Sequence, residues 1–152
     1  MINELFPDLL KLDGIEAIII YNTDNVIVDS WARPHYNIKI FKELGLNFQQ
    51  IFRVSKKTKQ PFQEVVLNLE KGKIYSRFNS EILLIIVSKF KVEPSLIRLI
   101  VNVGLAKFEE SRKVKKLLKK KPLRGYNCLK PALLDDVEEE YLNKIDNKKS
   151  EK

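Results

Sequence analysis

The sequence predicts an α+β domain, one sheet covered by helices on both faces, and three observations predict it. Residues 15–21 and 81–88 are apolar and rich in β-branched side chains on both faces, the pattern of strands buried from two sides. Residues 62–70 and 73–78 alternate apolar with polar across a Lys71-Gly72 turn. Three further segments place apolar residues at helical spacing. Their order is α-β-β-α-β-β-β-α, with the two doubly apolar strands side by side in the middle.

Each element has its own local reason. Apolar positions 2, 5, 6, 9, 10 and 12 predict a short first helix over 2–12, with Gly14 placed to end it in the left-handed conformation. Residues 15–21 form the first strand, and Asn22-Thr23-Asp24-Asn25 is turn chemistry that returns the chain through Val26-Ile27-Val28 as a hairpin. From 36 to 56 the period is helical, although Gly45 and Asn47 weaken the interior by about 1 kcal/mol each relative to alanine. At 100° per residue this second helix has one stripe of Ile38, Phe41, Phe48 and Phe52, and beside it another of Ile40, Leu44, Ile51 and Val54. Together they span roughly 200°, twice what packing on one sheet requires. The second stripe is covered either by the chain's own loop or C-terminal segment or by another protein chain. Residues 62–70 and 73–78 are outer strands, 81–88 the last strand, and Pro94-Ser95 opens a third helix over 96–118 whose last turns leave the body.

Composition bounds the function. The 152 residues are 44% hydrophobic and 32% charged, a globular composition of one domain's size. No apolar run approaches the ~20 residues of a membrane span, and MINELFPDLL lacks the basic start of a leader. Cys128 stands alone, so neither an internal disulfide nor, with one histidine, a Cys/His zinc cluster can form, and a reducing cytoplasm is expected. The net charge of +8 is unevenly spread: residues 1–111 carry 15 Lys/Arg against 13 Asp/Glu, 112–130 nine against none, and 131–152 four against seven. The charge belongs to a tail, in which 131–145 also has the apolar spacing of a short amphipathic helix.

Several stretches, in this order and spacing, resemble the roadblock family. They are Gly14-Ile15-Glu16-Ala17-Ile18 running into Asp24-Asn25-Val26-Ile27, Leu69-Glu70-Lys71-Gly72-Lys73, and Asn102-Val103-Gly104-Leu105-Ala106-Lys107. These are small dimeric proteins of the dynein-light-chain type that include bacterial and archaeal partners of small Ras-like GTPases. The resemblance spans about residues 2–118, leaving 119–152 as a basic then acidic tail. Asn25 stands where the family has glycine, and asparagine is the residue best able to replace it at positive φ.

The resemblance implies a five-stranded antiparallel sheet of roadblock/profilin type, the second helix on one face and the first and third on the other. It implies a homodimer, or a heterodimer with another roadblock chain, formed by pairing third strands and second helices. Phe41, Leu44, Phe48, Ile51, Phe52, Val65 and Leu67 would then lie at the dimer interface. Lys39, Lys42, Glu43, Leu46, Gln49, Gln50 and Arg53 would form the exposed arc on which a GTPase is held.

No residue set points to catalysis, a cofactor or a metal. His35 has no orienting partner or nucleophile near it in sequence, no phosphate-cradling G-x-x-x-x-G-K-[ST] loop is present, and acidic 135–140 lacks the glycine and alternation of a calcium loop. The expected function is a non-enzymatic scaffold or regulator of a small Ras-like GTPase that stimulates its hydrolysis. The alternative is nucleic-acid binding, with Arg112, Lys113, Lys115, Lys116, Lys119, Lys120, Lys121 and Arg124 on phosphates and the domain serving only to dimerise. The basic stretch offers one aromatic and no base-reading motif, and an anionic membrane surface is a further minor reading. A sensory domain with a small ligand between sheet and helix has no polar cluster in the sequence to support it.

Overall fold

The computed structural model describes residues 1–111 and 115–116. Its elements are α1 (Ile2–Leu5), α2 (Pro7–Lys11), β1 (Ile15–Asn22), β2 (Ile27–Ala32), α3 (Ile38–Lys56), β3 (Glu64–Asn68), β4 (Lys73–Phe78), β5 (Ile82–Ser88) and α4 (Pro94–Glu110). The five strands form one antiparallel sheet in the order β2-β1-β5-β4-β3. The doubly apolar β1 and β5 are neighbours, as their composition requires. β4, expected as an outer strand, instead lies between β5 and β3, and it buries Tyr75 and Ser76.

Alternation along the strands separates two cores. Ile18 and Ile20 of β1 and Leu84 and Ile86 of β5 face α1, α2 and α4, packing with Phe6, Leu9, Ile97, Val101 and Phe108. Ala17, Ile19 and Tyr21 with Leu83 and Ile85 face the opposite way, onto Phe41, Phe48 and Phe52 of α3. The helices therefore divide between the faces as the resemblance implied.

Three expectations need correction. The first helix is two short helices, because the backbone leaves helical geometry at Phe6 (φ −129°, ψ 47°), the residue before Pro7, where the helical conformation is disfavoured. The returning strand of the hairpin runs further than Val28, through Ala32. α4 ends at Glu110 rather than running to 118, with Ser111 extended at φ −97°, ψ 105°. The chain does not leave the body there: the Lys115 ammonium lies 3.7 Å from a Glu81 carboxylate oxygen and 5.8 Å from the Phe108 ring centre. Gly14 (φ 104°) and Asn25 (φ 61°) take the left-handed backbone assigned to them. The boundary at 118, the amphipathic pattern of 131–145 and the acidic cluster lie outside the described residues.

Candidate functional site

α3 begins at Asn37, whose side-chain oxygen accepts from the Lys39 N–H at 3.0 Å, and continues to Lys56. Phe41, Phe48 and Phe52 of its first stripe fill the sheet-facing core. Phe52 stacks on Phe78 at 5.3 Å between ring centres and meets Phe62 edge-on at 5.9 Å. Its second stripe points outward: Ile40 is 60% exposed and Val54 63%, with Ile51 also exposed and Leu44 half-buried. At the end of α3 the Ser55 hydroxyl accepts from the Phe62 N–H at 2.7 Å, and the Thr58 hydroxyl donates to the Ser55 carbonyl at 2.6 Å. These bonds turn the chain back so that Phe62, 45% exposed, flanks the helix.

β3 extends this surface. Among the described residues it pairs with β4 alone, so its other edge carries unpaired backbone groups. Val65 joins the core under α3, and Leu67 and Leu69, on the same face by alternation, are exposed. The result is one apolar surface from Ile40 to Val54 along the helix and from Phe62 to Leu69 along the strand edge. It is indented twice. One cleft of about 330 Å³ lies among Ile40, Leu44, Leu69 and Val87, with Glu16 in its wall held by the Arg33 guanidinium at 3.0 Å. A more open hollow of about 520 Å³ lies among Asn47, Ile51, Val54 and Phe62.

No family model matches the chain, and no curated protein matches it. Solved structures do. A roadblock/LC7 domain from Streptomyces avermitilis superposes with a TM-score of 0.58 at 7% identity, covering 71% of this chain and 94% of that one. Myxococcus xanthus MglB gives 0.61 at 16% identity, covering 72% and 94%. The gliding protein mglB from Thermus thermophilus gives 0.55 at 13% identity, covering 76% and 87%. This chain has the roadblock fold.

Within the roadblock fold the expected site residues divide. Ile51 and Leu67 are exposed on the apolar surface, and Leu44 and Val65 lie half-buried at its base. Phe41, Phe48 and Phe52 do not reach it: each is at most 3% exposed and packs in the core between α3 and the sheet. The sequence showed two stripes but could not say which one the sheet takes, and the larger aromatics fill the deeper space. Ile40, Val54, Phe62 and Leu69 complete the surface; the first two were legible as stripe positions, the last two only as strand-end residues.

On the outer arc Lys39, Glu43, Leu46, Gln50 and Arg53 are exposed, whereas Lys42 (4%) and Gln49 (5%) are buried. The Gln49 amide donates to the Asn22 carbonyl at 3.2 Å, at the end of β1. Buried in this way, neither side chain belongs to the exposed arc. Of the basic stretch, Lys115 and Lys116 are described; Arg112, Lys113, Lys119, Lys120, Lys121 and Arg124 lie outside the described residues. Lys56, which with Arg53 makes the last turn of α3 basic, sits 4.8 Å over the Phe78 ring. Among the described residues no three His, Cys, Asp or Glu side chains gather as metal ligands, and no helix is long and apolar enough to cross a membrane.

Proposed function

We propose that this chain is a non-enzymatic regulator that works as a dimer through α3 and β3 and holds a small Ras-like GTPase on the paired α3 helices. The observation that carries the reading is the apolar surface continuous with a free strand edge. An aqueous monomer seldom exposes so large an apolar patch beside unpaired backbone, and a second chain on the same face removes both from water. The fold and the sequence resemblance support the GTPase as the further partner. In mechanism, Lys39, Glu43, Leu46, Gln50 and Arg53 of both helices form a polar platform. Binding there selects one arrangement of the GTPase switch segments and so changes nucleotide turnover, in the direction of faster hydrolysis.

Light scattering on the full chain tests the first step. A dimer is expected, and Ile51→Glu with Val54→Glu is expected to raise its dissociation constant at least about a hundredfold, because two carboxylates per copy would have to be buried unpaired. A native monomer at tens of micromolar would remove the dimer. Calorimetry with a purified Ras-like GTPase, loaded with GDP or a non-hydrolysable GTP analogue, tests the second. Lys39→Glu with Leu46→Asp should weaken binding about tenfold or more while the chain's own mass is unchanged. Equal affinity would remove the platform. In the described part of the basic stretch, Lys115 is turned inward, paired with Glu81 and over Phe108, while Lys116 is exposed.

A further inference from the structure

The outward line of α3 is nearly symmetric about one residue. Leu44 and Ile51 lie three before and four after Asn47, and Ile40 and Val54 lie seven before and seven after. Steps of three, four and seven keep to one side of a helix, so the line reads Ile40, Leu44, Asn47, Ile51, Val54. Its two ends are almost equally open to water, at 60% and 63%. Its centre is an exposed amide with no side-chain hydrogen bond among the described residues.

A two-fold axis crossing α3 at Asn47 lays this line on itself. Ile40 falls opposite Val54, Leu44 within one residue of Ile51, and Asn47 opposite its own copy. The hollow beside Asn47, lined by Ile51, Val54 and Phe62, then receives Ile40 and Leu44 of the second copy, and the axis repeats the exchange. Six exposed apolar side chains (Ile40, Ile51, Val54, Phe62, Leu67 and Leu69) contribute roughly 600 Å² per copy, against about 800 Å² per partner in a stable interface. The polar margins of α3 and the β3 edge supply the remainder.

We propose that Asn47 meets Asn47 of a second copy at the axis of an antiparallel α3 pair, and that this contact selects a second copy of this chain, in this register, over other partners. The proposal rests on the dimer reading above. Asparagine suits the position because its amide both donates and accepts, so two related by a two-fold axis satisfy each other. Slipping the helices by one turn would set each amide against an apolar side chain, leaving it buried and unpaired, which is how one polar residue in an apolar seam fixes register.

Charge substitution at this one site tests it. Full-length Asn47→Asp and Asn47→Lys are prepared separately, checked for native circular dichroism, and measured by sedimentation alone and mixed in equal amounts. Each alone is expected to dissociate at least about tenfold more readily, since like charges would meet at the axis, and the mixture to recover a mixed dimer identified by native mass. If the unsubstituted chain is itself a monomer, the dimer reading fails and this proposal with it. If the unsubstituted chain is a dimer and both variants also dimerise alone, or their mixture does not recover, the dimer reading stands and Asn47 is not at its axis.

Discussion

Gly45 sits where α3 comes down onto β1. A Cβ there would lie 2.4 Å from Tyr21 Cε2 and 2.9 Å from the Asn25 side-chain oxygen. Tyr21 cannot yield easily: it is fully buried, and its hydroxyl donates to the Phe41 carbonyl in α3. The sequence marks Gly45 as a weak helix residue, and the packing supplies the reason it is tolerated. Gly45→Ala should therefore destabilise the protein by about 1–3 kcal/mol in urea unfolding, overpacking outweighing the gain of about 1 kcal/mol in helix propensity. A more stable variant would mean that α3 can shift outward at small cost. Gly104 is a second close approach, where a Cβ would meet the Phe6 ring at 2.2 Å, and that contact gives the Asn102 to Lys107 segment its physical meaning.

At the scale of elements, α4 is tied to the edge strand β3 through one carboxylate. Glu64 accepts from Arg98 Nε at 2.8 and 2.9 Å and from the Tyr75 hydroxyl at 2.6 Å, with Arg77 at 3.4 Å. The Arg98 guanidinium, then the Tyr75 hydroxyl and the Arg77 charge, hold its carboxyl below the ordinary 4.5 against the opposing effect of burial. A carboxyl lowered in the folded state stabilises it fully above the unfolded value and loses that contribution as pH falls through the folded value. The urea midpoint should therefore fall as the pH is lowered past the ordinary carboxyl value of 4.5, and Glu64→Gln should flatten that acid limb of the curve. Identical pH profiles for the two proteins would show that this cluster contributes nothing to the acid response. None of the cluster is legible in the sequence, because Glu64, Tyr75, Arg77 and Arg98 come from three elements that only the sheet order brings together.

For the whole molecule the deciding feature is what lies against the β3 edge. The Leu69 N–H donates to Gly72 and Gln63 accepts from Phe78, so odd-numbered residues of this strand face β4 and the even-numbered N–H groups face outward. Asn68 is exposed and on the outward set, so proline there removes a donor that β4 does not use. Asn68→Pro is expected to weaken self-association about tenfold in sedimentation while the unfolding temperature of dilute protein moves by a few degrees at most. Unchanged association would place the dimer on α3 alone, without strand pairing.

Local periodicity determined that 15–21 and 81–88 are apolar on both faces, that 36–56 has two apolar stripes, and that Asn25 can bear a positive φ. These depend on each residue's own chemistry and its near neighbours. Which stripe of α3 enters the core was decided only when helix and sheet met, because Phe41, Phe48 and Phe52 and the line from Ile40 to Val54 are equally apolar in sequence. The same holds for Gln49, whose amide bonds to the Asn22 carbonyl at the end of β1. The surface left exposed is thus what remains after the sheet has taken the aromatic stripe, and burial of that kind is a property of contacts between distant segments.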